Sequence, residues 1–164
     1  MTLRMKNSLC ISAAILLSAL FLTAGKFGGD RIRQKAEESE LKKELQSVLP
    51  QIEEFSVSLP DGTMPESVKE IYLSGEGIIV RLNVSGYASG LEILCGIKDG
   101  KISGVRCVTS HETLGVEKTY GENFKGKDIG SASRTETVSG ATKTTSAYKK
   151  AVLDALSVYG KLTG

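Results

Sequence analysis

Leu91–Thr109 restricts the fold of this chain more than any other stretch. Two apolar runs, Leu91–Ile97 and Ile102–Thr109, flank Asp99-Gly100. An Asp-Gly pair between such runs favours a two-residue type I′ turn, because both central residues need positive φ. The stretch therefore predicts an antiparallel hairpin. With that turn Lys98 faces Lys101, Cys95 faces Gly104 and Cys107 faces Glu92. Side chains alternate between faces, so the two cysteines are expected on opposite faces, unlinked, as buried or half-buried thiols.

The strand pattern extends upstream. Ile71–Leu73, a turn at Gly75-Glu76-Gly77 and the β-branched run Ile78–Val84 precede a turn-rich Ser85–Gly90. Successive strands with short connections form an antiparallel sheet. Apolar residues at helical spacing flank it. Ile32, Ala36, Leu41, Leu45 and Val48 lie before Pro50, and a second set runs from about Ser146 to Tyr159 and is expected to end at Gly160. Helices at both ends of one sheet make the fold class α+β. Pro60-Asp61-Gly62 and Pro65 read as turns, and the polar stretch Val116–Arg134 as mostly loop.

At the N-terminus, Ser8–Gly25 is uncharged and rich in Leu, Ile and Ala, about the length needed to span a bilayer as a helix. A retained transmembrane anchor is expected; a signal peptide cut near Thr23-Ala24-Gly25 is the alternative. The organisation expected is therefore a short N-terminal tail and anchor over 1–28, a juxtamembrane helix over 29–50, and a domain over 51–164. A net charge of +2 with no Trp gives no nucleic-acid footprint. The three cysteines follow no metal-binding spacing, so no metal site is expected.

The chemistry concentrates in Glu136-Thr-Val-Ser-Gly-Ala-Thr-Lys-Thr-Thr-Ser146. Small residues and hydroxyls lead there into a helix. Backbone N–H groups at a helix N-terminus favour a phosphate, and Gly140 permits close approach of a ligand. The same hydroxyls also serve as ordinary helix caps, and spacing alone leaves both readings open.

Ser139-Gly140-Ala141-Thr142-Lys143-Thr144 resembles the flavinylation motif of the FMN-binding domain family: Ser or Thr, Gly, Ala, Ser or Thr, any residue, Ser or Thr. Glu136 stands where that family often has an acidic residue. Three further pieces match in order. They are Leu49-Pro50 followed by Phe55; Gly86-Tyr87 leading into the Gly96–Val105 hairpin; and His111-Glu112-Thr113-Leu114-Gly115, similar to the family's Glu-Thr-Pro-Gly loop. The layout is most similar to the G-type subunit of Rnf electron-transport complexes, and more distantly to the C-type subunit of Na⁺-translocating NADH:quinone reductases. Leu114 departs from the usual Pro, Val116-Glu117 from the usual Leu/Ile-Gly, and the connection from Gly115 to Glu136 is short.

The resemblance implies covalent FMN joined to Thr144 through a phosphoester. Ser139, Gly140, Ala141 and Thr142 would shape the phosphate pocket, with Glu112 and Thr113 near the cofactor. It implies a separate flavin transferase as maturation partner, an extracytoplasmic domain on a single-pass membrane anchor with the N-terminus cytoplasmic, and other subunits of a membrane electron-transport complex as partners. The function implied is an electron carrier in an Rnf-type ion-translocating ferredoxin:NAD oxidoreductase, with no catalytic acid, base or nucleophile of its own acting on a substrate. A stand-alone flavinylated carrier, or a non-redox tethered binding or sensor module, are the alternatives. Tyr87 is expected as a half-buried core residue, and His111, the sole histidine, as either a flavin neighbour or a locally bonded loop residue.

Overall fold

The computed structural model describes residues 36–163. The expected anchor over 8–25 lies outside them. Among the described residues, no helix is long and apolar enough to cross a membrane. The described residues fall into two units, 36–41 and 42–163. Residues 36–46 are helical (α1), and 42–46 open the second unit.

The second unit is α+β. Five strands, β1 (Ser56–Ser58), β2 (Val68–Ser74), β3 (Gly77–Val84), β4 (Leu91–Lys98) and β5 (Lys101–Thr109), form one antiparallel sheet in sequential order. Short turns join β2 to β3 and β4 to β5, so neighbours in sequence are neighbours in the sheet. Asp99 and Gly100 have φ of 52° and 73°, as a type I′ turn requires.

The register of that hairpin differs from the expected one. Lys98 and Ile97 face Lys101 and Ile102 as foreseen, but irregularities between Gly96 and Ile97 and between Glu92 and Ile93 shift the rest. Cys95 faces Val105, Gly96 faces Gly104, and Cys107 faces Ile93. One extra residue in a strand reverses the face of everything beyond it. The two cysteines therefore share a face, contrary to the sequence expectation. Both are free, Cys95 buried and Cys107 half-buried.

The face with the cysteines carries the main core. Ile71, Ile78, Val80, Leu82, Leu91, Ile93 and Ile97 pack with Tyr120, Phe124 and the apolar side of α4 (Thr142–Thr163). Helical spacing puts Tyr148, Ala151, Val152, Ala155 and Leu156 on that side, all buried. The helix is longer than the sequence indicated. It starts at Thr142 rather than near Ser146, and it passes through Gly160, which is exposed and has nothing within reach of a Cβ. Glycine lowers helix propensity but does not end a helix already held by packing.

The stretch expected as loop, 116–134, holds α2 (Glu117–Tyr120), a 3₁₀ turn (Gly121–Phe124) and α3 (Ile129–Ser133). Asp128 caps α3, its side chain accepting from Ser131 N–H at 2.8 Å while the Ser131 hydroxyl accepts from Asp128 N–H at 3.1 Å. A polar surface with two buried aromatics, Tyr120 and Phe124, is what a pair of short helices pinned to a sheet presents.

The opposite face of the sheet offers Tyr72, Ile79 and Leu94, buried like Leu45, Val48, Leu49 and Ile52 of the segment before β1. The paired Gly96 and Gly104 make room for that segment. A Cβ on Gly96 would meet the Val48 carbonyl oxygen at 2.5 Å, and one on Gly104 would meet it at 3.0 Å. Arg81 fixes the same face electrostatically, bonding Glu92 at 2.6 Å, Glu44 at 2.8 Å and Glu70 at 3.3 Å.

Burial pushes the Cys95 thiol up to about 12 and, with help from the carboxylates of Glu117 and Glu92, the Cys107 thiol to about 11, against 9.0 for a free thiol. The folded state thus holds these protons more tightly than the unfolded one. The stabilisation is full below about pH 9 and is lost as pH rises through the folded values. Urea midpoints are expected to fall between about pH 9 and about pH 11. A midpoint flat over that range would contradict the burial argument.

Candidate functional site

Three segments converge where α4 begins. The β3–β4 connection brings Gly86-Tyr87-Ala88, the chain leaving β5 brings Ser110–Leu114, and the first turn of α4 brings Ala141–Thr144. Between them lies an open cleft of about 310 Å³, lined by Tyr87, Glu112–Leu114 and Gly140–Thr144.

Thr144 is the reactive group best placed there. Because α4 starts at Thr142, Thr144 falls one turn before Tyr148 on the face turned to the sheet, and it is only 4 % exposed. Its hydroxyl donates to Glu112 Oε2 at 2.5 Å. The same carboxylate accepts from the backbone N–H of Ala88 at 3.0 Å and of Tyr87 at 3.3 Å. Glu112 thus ties the three segments to one point. Gly86 allows this: a Cβ there would lie 2.6 Å from Glu112 Oε1 and 3.0 Å from Thr144 Cα.

A second layer sits behind Glu112. Its backbone N–H donates to Ser110 Oγ at 3.0 Å, and Ser110 donates to Glu117 Oε1 at 3.1 Å. Glu117 is a buried carboxylate, 1 % exposed, with Oε2 unpartnered among the described residues. Ser110 was not singled out from the sequence; Gly86 entered only with Tyr87 as part of the family resemblance, and Glu117 only as a departure from the family's usual Leu/Ile-Gly. Glu117 sat in a polar stretch that looked solvated, and nothing in its spacing foretold that the single turn of α2 would carry it inward.

The neighbouring hydroxyls are differently engaged. Thr145 is fully buried; its hydroxyl donates to the Ala141 carbonyl at 2.9 Å and accepts from Val138 N–H at 3.2 Å, closing the helix start. Thr142 is exposed at the cleft edge, and its hydroxyl reaches the Val138 carbonyl at 3.5 Å. Gly140 has φ of 82°, the left-handed conformation that turns the chain into α4. Ser139 is exposed and does not line the cleft. The side chain of Glu136 is also exposed; its contribution is a backbone carbonyl that accepts from the Tyr120 hydroxyl at 2.7 Å.

The cleft has a positive and an apolar side. At the start of a long helix the N–H groups of the first turn have no intrahelical acceptor, and the dipole adds positive potential. Lys143 adds a formal charge, its ammonium 6.0 Å from the centre of the Tyr87 ring. Tyr87 is 71 % exposed, not half-buried as the sequence suggested, because its loop leaves the sheet before the ring can reach the core. Leu114 is 67 % exposed and also lines the cleft, as does Thr113. His111 is exposed and does not line it. A phosphate at the helix start with an aromatic ring toward Tyr87 and Leu114 fits this distribution of charge and apolar surface.

A wider groove of about 760 Å³ runs along the other side of the first turns of α4, past Lys69, Lys150, Glu66 and Asp154. Its charges are mixed and it offers no aromatic side chain, so it suits a flat apolar ring less well.

Residues 86–157 match the family model of the FMN-binding domain. The matched stretch begins at the Gly86-Tyr87 loop and runs through most of α4, so it contains Glu112, Thr113 and the whole Ser139–Thr144 motif. It supports FMN as the cofactor and a flavin-based electron-transfer role. No curated protein matches the chain.

Proposed function

We propose that this chain is a membrane-anchored electron carrier that holds FMN covalently as a phosphoester on Thr144, with its domain outside the cytoplasm, working as the G-type subunit of an Rnf-like ion-translocating complex. The observation that carries the covalent reading is the Thr144 hydroxyl, set on the first turn of α4 inside the cleft of the FMN-binding stretch. The anchor and complex rest on the apolar run Ser8–Gly25 and on the resemblance of the layout.

Bound there, FMN supplies the redox chemistry, and the protein supplies position and tuning. The free N–H groups of Thr142, Lys143 and Thr144 and the Lys143 ammonium would hold the phosphate. Thr113 and Gly140 border the cleft, while the exposed side chains of Tyr87 and Leu114 would offer the ring apolar surface. A covalent link suits a site where lost cofactor could not be replaced.

The test is the intact mass of the full chain, made with and without a flavin transferase and purified from membranes, with in-gel flavin fluorescence. One FMN per chain is expected with the transferase, mapped by fragmentation to the first turn of α4. An unmodified chain beside an active transferase would overturn the covalent reading.

A further inference from the structure

Glu112 is an unexpected neighbour for a phosphate. A carboxylate beside an anion is repulsive, and at close range in a half-buried cleft the effect is large. Yet Glu112 is fixed there by two backbone N–H groups, and it accepts the hydroxyl hydrogen of Thr144. We propose that Glu112 is a catalytic residue supplied by the acceptor protein itself: it takes the Thr144 proton as the flavin is attached. This rests on the covalent-FMN reading above and adds the origin of the nucleophile.

The step balances as follows. The donor is the dinucleotide FAD, presented by the transferase. The Thr144 Oγ–H bond breaks and the proton moves to Glu112 Oε2, along a hydrogen bond already formed. Thr144 Oγ attacks the phosphorus on the FMN side of the pyrophosphate. The bond from that phosphorus to the bridging oxygen breaks, and the electron pair leaves on AMP. No electrons are gained or lost by the flavin.

Before reaction, Glu112 accepts the hydroxyl hydrogen and holds Thr144 Oγ toward itself. After reaction, Oγ is an ester oxygen with no hydrogen to donate. The second layer suits this role. The Ser110–Glu117 pair holds the Glu112 backbone, so the carboxyl does not depend on its own flexible stem for position.

The experiment follows FMN addition by intact mass, using the full-length unmodified chain, FAD and purified transferase. Glu112→Gln keeps size and one carbonyl acceptor but cannot take the proton, and its rate is expected to fall by about 100-fold or more. Glu112→Ala is expected to be as slow and to be partly restored by added formate, a carboxylate small enough for the vacated space. Thermal unfolding of each variant reports on the fold. A Glu112→Gln chain modified at the wild-type rate overturns the inference. So does slowing in both variants without any response to formate, which would make Glu112 a structural clamp only. A wild-type chain that takes up no FMN overturns the covalent reading and this inference with it.

Discussion

Thr144→Ala is expected to abolish covalent flavin completely, while Thr144→Ser retains it. Neither neighbouring threonine of α4 is an equivalent substitute. Thr145 is one residue away but buried, with its hydroxyl donating to Ala141 and accepting from Val138. Thr142 points back to the Val138 carbonyl and lacks a carboxylate partner. Among the described residues that line the cleft, Thr144 alone has a carboxylate as the acceptor for its hydroxyl hydrogen. The fold should survive, because Glu112 keeps both backbone N–H bonds and the loss is one hydrogen bond to a charged group, about 1.5–3 kcal/mol. Intact mass and thermal unfolding, measured on the same samples, separate lost chemistry from lost structure. A flavinylated Thr144→Ala chain would reassign the acceptor.

Gly121→Ala is expected to be strongly destabilising. Gly121 opens the 3₁₀ turn, where a Cβ would lie 2.4 Å from the Val105 carbonyl oxygen and 2.6 Å from the Tyr148 hydroxyl. Neither neighbour yields easily. Val105 belongs to β5, and Tyr148 is fully buried among Tyr120 and Phe124, with ring centres 5.5 and 6.1 Å away. Overpacking of this kind costs about 3 kcal/mol, a fall in Tm of roughly 10 °C for a domain of this size. Tyr148 offers an internal check. Its hydroxyl is buried and has no partner among the described residues, so Tyr148→Phe is expected to be neutral or to stabilise by up to about 1 kcal/mol. On that background Gly121→Ala loses one of its two collisions and should cost at least about 1 kcal/mol less. Equal costs on both backgrounds would show that the Val105 carbonyl alone sets the penalty.

Together these expectations separate the two tasks of α4. Its first turn presents Thr144 to the cleft, and its next turns bury Tyr148, Ala151, Val152 and Ala155 against the sheet. The proposed acceptor is therefore mounted on the most extensively packed helix of the described residues rather than on a loop. A site mounted on a packed helix is held more rigidly than one on a loop.

Local patterns determined much of this protein. Asp99-Gly100 between apolar runs dictated a type I′ hairpin, because few dipeptides accept positive φ twice. The β-branched run Ile78–Val84 and the helical spacing beyond Thr144 determined the strand and the helix, and so the α+β class. Of the Ser139–Thr144 motif, Gly140–Thr144 line the cleft, and their small and hydroxyl-bearing side chains are what a helix start accepts. These features act within a few residues, so the sequence carries them openly.

Other features arose only on folding. The bulges in β4–β5 put Cys95 and Cys107 on one face, since a register shift responds to packing on both sides of the sheet rather than to the turn. The start of α4 moved to Thr142 because packing of Thr144 and Thr145 against the site stabilises a turn whose threonines have weak helix propensity. Gly96 and Gly104 became a seat for Val48 only when strand pairing set them side by side. Glu112 gained its meaning in the same way. It lies 32 residues from Thr144 in the chain, and their meeting depends on the sheet, the β3–β4 loop and the buried Glu117 together. Long-range juxtaposition leaves no periodic trace, and here it brings the Thr144 hydroxyl to the Glu112 carboxyl.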